Sequence, residues 1–84
     1  MKVAYHPNFI KQFKKLSSVL QIEVKEKIEI FEENYLHHSL KTHKLHGRFK
    51  KDYAFSVNYS YRIIFRIFKD EALFLEIGTH DMYR

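Results

Sequence analysis

The sequence contains no cysteine, which excludes disulfides and thiolate zinc sites. It has 1 proline and 2 glycines, too few for a disordered segment or a linker. No run reaches the ~18 apolar residues that a bilayer-spanning helix needs, and no N-terminal apolar core of a leader peptide is visible. The expectation is a soluble, cytoplasmic protein with no membrane partner. Acidic residues are also scarce: 10 stand against 15 Lys and Arg, for a net charge of +5 and a pI near 9.5. Such a domain is drawn to polyanions. Charge alone does not choose among nucleic acid, an anionic membrane surface and an acidic protein.

What the chain has is aromatic bulk. Eight Phe and 6 Tyr make 17% of its 84 residues aromatic. That offsets the poor surface-to-volume ratio of so short a chain. The length fits one domain, residues 1–84.

Periodicity divides the chain in two. Lys2 to Tyr5 alternates and predicts a short strand. Pro7 suits a helix first turn, and Phe9, Ile10, Phe13 and Leu16 follow at helical spacing, predicting a helix from Pro7 to Leu16. Ser17-Ser18 is a break and an N-cap. Beyond it Leu20, Val24, Ile28, Phe31 and Tyr35 form the stripe of a second helix ending near Tyr35, with Glu23 and Lys27 in the favourable i,i+4 order. Together they predict a helical hairpin. His37 to Gly47 reads as a loop, with a short strand near Lys44 to Leu45.

From Asp52 the period is two. Tyr53 to Tyr59, Tyr61 to Phe68 and Ala72 to Thr79 predict three strands in an antiparallel meander. The predicted fold class is α+β: an N-terminal strand and a helical hairpin packed on one face of an antiparallel sheet. Odd-numbered residues are the apolar ones, among them Phe55, Val57, Ile63, Phe65, Leu73, Leu75 and Ile77. They are expected beneath the helices. The even face then carries Ser56, Asn58, Arg62, Arg66, Glu76, Gly78 and, where strand geometry continues, His80.

Arg62, Arg66 and His80 are the candidate chemistry. A guanidinium binds phosphate through a planar fork of donors, and a histidine can move a proton near neutral pH. RNA breaks when its 2′-OH attacks the adjacent phosphate. That step needs a base, an acid and positive charge on the transition state. The competing reading pairs Arg62 and Arg66 with Glu76 across strands. His43 and His46 have an H-x-x-H spacing, but no further ligand is suggested nearby, so no metal site is expected. His37-His38 lies just past a helix end, where imidazolium suits the dipole. Lys41, Lys44, Arg48, Lys50 and Lys51 cluster in the loop entering the sheet and are candidates for phosphate tracking.

The segment from Leu40 to Arg84 resembles the C-terminal half of RelE/ParE toxins, and in particular the RelE/YafQ-like mRNA interferases. The resemblance is carried by "L-x-G" at Leu45 to Gly47, "YRIIF" at Tyr61 to Phe65, an acidic turn, and "IGTHDMY" at Ile77 to Tyr83. It implies the toxin of a type II toxin–antitoxin system, an endoribonuclease that cleaves mRNA on the ribosome without metal or small-molecule cofactor and is neutralised by a cognate antitoxin. Arg62 matches the arginine credited with transition-state stabilisation. His80 matches a catalytic position, and His43 a further histidine of the YafQ-like branch. Tyr83 resembles a C-terminal tyrosine used by some members. Lys44, Arg48, Lys50 and Lys51 would bind RNA. Ser56 and Ser60 stand where the YafQ-like branch has a histidine and an aspartate, and Tyr53 and Phe55 where RelE has two lysines, so the general base is unassigned. The alternative function is a ParE-like inhibitor of DNA gyrase without nuclease activity.

Overall fold

Two polar caps start the helices. In the computed structural model, which describes residues 1–83, strand β1 (Lys2–Tyr5) runs into His6. The His6 Nδ1 accepts the Asn8 N–H at 3.0 Å and caps helix α1 (Pro7–Lys14). The Ser17 Oγ accepts the Leu20 N–H at 3.2 Å and caps helix α2 (Ser18–Glu33). Both helices stop two residues short of the apolar stripe, which runs on into coil at Leu16 and Tyr35. Strand β2 (His43–Lys44) lies between two 3₁₀ turns, His38–Leu40 and Gly47–Phe49. Strands β3 (Tyr53–Ser56), β4 (Tyr61–Phe68) and β5 (Glu71–Thr79) follow, and a last 3₁₀ turn spans His80–Tyr83.

The sheet order is β1-β5-β4-β3-β2. The expected meander is antiparallel, while β1 adds to β5 in parallel, so the complete sheet is mixed. The helices cover one face. Phe31 of α2 is the hub there, with ring centroids 5.0, 4.9 and 5.1 Å from Phe55, Phe65 and Phe74. Phe9 of α1 reaches the same Phe74 ring at 5.6 Å. These rings lie in one continuous buried cluster with Val24, Ile28, Ile63 and Ile77.

Strict alternation fails in β5. Ile64 faces Glu76 and Phe65 faces Phe74, so Leu75 is an extra residue, a β-bulge. The bulge exchanges the faces for the first half of the strand. Ala72 and Phe74 enter the main core in place of Leu73 and Leu75. Leu75 packs instead on the opposite face with Leu45, Ala54, Ile64 and Phe49. That face is therefore partly covered, not open along its whole length. Gly47, at φ 66°, allows the turn preceding Phe49. β3 also ends earlier than its alternation suggests: after Ser56 the chain enters a tight turn, with the Val57 N–H donating to the Tyr61 carbonyl at 3.0 Å.

Candidate functional site

The turn between β3 and β4 is organised by Asn58. Its Oδ1 accepts the N–H groups of Ser60 and Tyr61 at 2.9 and 2.8 Å, an Asx arrangement. Its Nδ2 donates to Glu23 Oε1 at 2.8 Å, tying the turn to α2. Glu23 thus serves the turn, in addition to lying four residues before Lys27. The carbonyls of Asn58, Tyr59 and Tyr61 converge on one nitrogen of Arg62, accepting from Nη1 at 2.9, 3.1 and 3.2 Å. The Nε and Nη2 donors of Arg62 have no protein acceptor among the described residues. A guanidinium fixed on one side and open on the other is suited to an oxyanion. Neither arginine pairs with Glu76, whose carboxylate accepts from Gln12 Nε2 at 3.3 Å.

Arg62 opens into a groove of about 320 Å³, lined also by Lys27, Ser39, Lys41, Ser56 and Tyr59. Three cations from α2, the following loop and β4 face this one cleft. Ser56 lies directly opposite Arg62 on β3, and Gly78 directly opposite on β5.

The other candidate residues distribute around this centre. His80 follows Gly78 by two residues and opens the final turn at the same end of the sheet as Arg62. The strand ends at Thr79, so alternation no longer dictates where the His80 side chain points. His43 faces Ala54 and shares the Arg62 side of the sheet. Strand spacing sets its Cα at ~12 Å from that of Arg62, across one intervening strand. The Nδ1 of His43 lies 3.0 Å from the Lys41 carbonyl, which can only accept. That nitrogen is therefore the donor. Tyr83 closes the last 3₁₀ turn, and its side chain lies outside the described residues.

The expected RNA-binding cations do not line the Arg62 groove. Lys44 faces Tyr53 on the helix-covered side, its Nζ 4.8 Å from the ring centroid. Arg48 lies over Phe49, 4.9 Å from the ring centroid, and borders a separate hollow with Asp52 and Arg66. Lys50 and Lys51 are exposed after that turn. The cations that do reach the groove are Lys27 and Lys41. Lys41 belonged to the basic loop in the sequence, whereas Lys27 had no signal beyond its place on a helix.

Arg66 is structural, with a partner other than the one alternation suggested. Its Nε and Nη2 donate to the two carboxylate oxygens of Asp52 at 2.7 and 3.3 Å. That hydrogen bond, and next the Asp52 charge, hold the Arg66 guanidinium above its ordinary pKa, and slight burial opposes them. His37 likewise has a local role: its Nδ1 accepts the Ser39 N–H at 3.1 Å and caps the turn after α2. No group of three or more His, Asp or Glu side chains that could hold a metal occurs among the described residues.

No family model matches the chain, and no curated protein matches it. Solved structures do. YafQ from E. coli strain BL21(DE3) aligns with a TM-score of 0.80 at 19% identity, over 98% of this chain and 96% of that one. A YoeB/ParE toxin from Agrobacterium tumefaciens gives 0.79 at 10% identity, over 95% and 99%. A chain of the archaeal RelE-RelB complex from Pyrococcus horikoshii OT3 gives 0.75 at 18% identity, over 93% and 92%. The chain therefore has the α+β fold of these solved structures, matched over nearly its whole length.

Proposed function

We propose that this chain is the toxin of a type II toxin–antitoxin pair and that it cleaves mRNA on the ribosome. The observation that carries the reading is the Arg62 guanidinium, held by three carbonyls on one nitrogen and open toward a cationic groove on the others. The fold adds support, since structures of this fold include a DinJ-YafQ toxin-antitoxin complex. A cognate antitoxin is the expected protein partner, and mRNA and the ribosome are the expected substrate and platform. The proposed site is cytoplasmic.

In the reaction the 2′-oxygen of one ribose attacks the adjacent phosphorus and loses its proton to a base. The bond from phosphorus to the 5′-oxygen breaks, and that oxygen takes up a proton. The products are a 2′,3′-cyclic phosphate and a 5′-hydroxyl. Negative charge grows on the non-bridging oxygens, and the open donors of Arg62 are suited to receive it. His80 gives or takes a proton, with His43 and Tyr83 assisting. A neutral serine hydroxyl is a poor base, so Ser56 is left out of proton transfer despite facing Arg62. The chemistry asks for no metal. Lys44, Arg48, Lys50 and Lys51 hold RNA or ribosomal RNA outside the groove through phosphate contacts.

The test is cleavage of a translated message by the wild-type chain, Arg62→Ala and His80→Ala, beside a supercoiling assay. Cleavage by the wild type alone supports the reading. Equal activity in all three removes the site assignment. Inhibition of supercoiling without RNA cleavage replaces the reading with that of a gyrase inhibitor.

A further inference from the structure

Tyr59 is the most exposed large hydrophobic side chain among the described residues, at 96%. Among the described residues it makes no aromatic or cation–π contact, unlike the exposed Phe68, whose ring carries Lys69 at 5.7 Å. A bare aromatic ring in water ordinarily sits on a mobile tip. Here the backbone beneath it is fixed. Asn58 binds two following N–H groups and Glu23, and the Tyr59 carbonyl itself accepts from Arg62 at 3.1 Å. Tyr59 is one of the residues lining the groove that holds Arg62, Lys27 and Lys41.

We infer that Tyr59 is a stacking platform for a nucleobase next to the phosphate held by Arg62. This inference rests on the proposed function and adds to it a residue that positions the substrate. Phosphate-binding donors beside an open aromatic face are the two halves of a nucleotide site, one for the charge and one for the base. A platform on a fixed turn orders little on binding, so more of the stacking energy appears as affinity. Stacking accepts any base and would by itself give little sequence preference.

The chain has no tryptophan, so Tyr59→Trp installs a single indole reporter at the site. The probe is a 2′-O-methyl hexanucleotide, which lacks the attacking hydroxyl, compared with the same backbone abasic at its central positions. Binding is followed separately by anisotropy of an end label. The base-bearing strand is expected to quench the indole at saturation, and the abasic strand to leave it bright. Tyr59→Ala is expected to weaken binding of the base-bearing strand by about 5- to 150-fold, the range of one lost stacking contact. Tyr59→Phe should bind within about twofold of wild type, because the ring face remains. The ring is in water, so an unchanged Tm shows that Tyr59→Ala is folded. Binding without quenching, or equal affinity of wild type and Tyr59→Ala, overturns the platform and leaves the nuclease reading standing. If the folded wild type binds neither strand, both ideas fall.

Discussion

Asn58 accepts two turn N–H groups through its side chain while its own carbonyl accepts Arg62 Nη1 at 2.9 Å. One residue therefore both shapes the turn and aims the guanidinium. Because Nδ2 also reaches Glu23 at 2.8 Å, the orientation of Arg62 depends on α2 as well as on the sheet.

Asn58→Ala is accordingly expected to cost about 1–2 kcal/mol in urea unfolding, since two turn N–H groups lose their acceptor. It should also lower cleavage by about tenfold or more in protein that remains folded, through misplacement of Arg62. Asn58→Asp keeps the acceptor but sets a second carboxylate against Glu23. It should retain the turn only if α2 shifts, so Glu23→Gln added to Asn58→Asp should recover stability. Wild-type stability and cleavage in Asn58→Ala would show that the turn holds Arg62 without this side chain.

The Asp52–Arg66 pair is asymmetric, with side-chain exposures of 4% and 49%. Removing the arginine strands a buried carboxylate, whereas removing the carboxylate lets a half-exposed guanidinium return to water. Arg66→Ala should therefore cost about 2 kcal/mol and Asp52→Asn less than about 1 kcal/mol. Thermal unfolding reads the order directly, since 1 kcal/mol moves the Tm of a domain this size by about 4–8 °C. The reverse order would contradict the assignment of Arg66 as the partner that makes Asp52 tolerable in the interior.

Burial, and next the Glu32 charge, push the Tyr5 phenol above its ordinary pKa. The folded state then holds its proton at a pH where the unfolded state has released it. By linkage, the contribution is present below about pH 10 and is lost as pH rises through the folded value. Tyr5→Phe should make the fall in Tm above about pH 10 shallower while leaving the neutral Tm little changed. An identical alkaline slope in both proteins would remove Tyr5 as a source of that fall.

The sequence was most legible where one rule acted alone. Pro7 in a first turn, the Ser17 cap and the stripe through Val24, Ile28 and Phe31 placed the helices, because a buried stripe must repeat at 3.6 residues. Alternation put Arg62 on the face away from the helices, whereas its guanidinium turns back to the β3–β4 turn, into a cleft that Lys27 of α2 also lines. It failed at Leu75 because a bulge is a pairing event between β4 and β5, invisible in the period of either strand. It missed the Asp52–Arg66 pair because that contact depends on how the Gly47–Phe49 turn folds over the sheet. Alternation carried a strand through Asn58 to Tyr59, whereas the Asn58 side chain turns the chain there, and its link to Glu23 joins residues 35 apart and required the fold. Lys27 reached the groove for the same tertiary reason.

The central claim is that the open side of Arg62 acts on a scissile phosphate. Primer extension on a message under translation, with purified wild type and with Arg62→Lys and Arg62→Ala, tests it most directly. The account predicts discrete cuts within the reading frame for the wild type and a loss of about 100-fold or more in both variants. Lysine keeps a charge but not the fork held on one nitrogen. Cuts of wild-type intensity from Arg62→Ala, or none from the folded wild type, would contradict it.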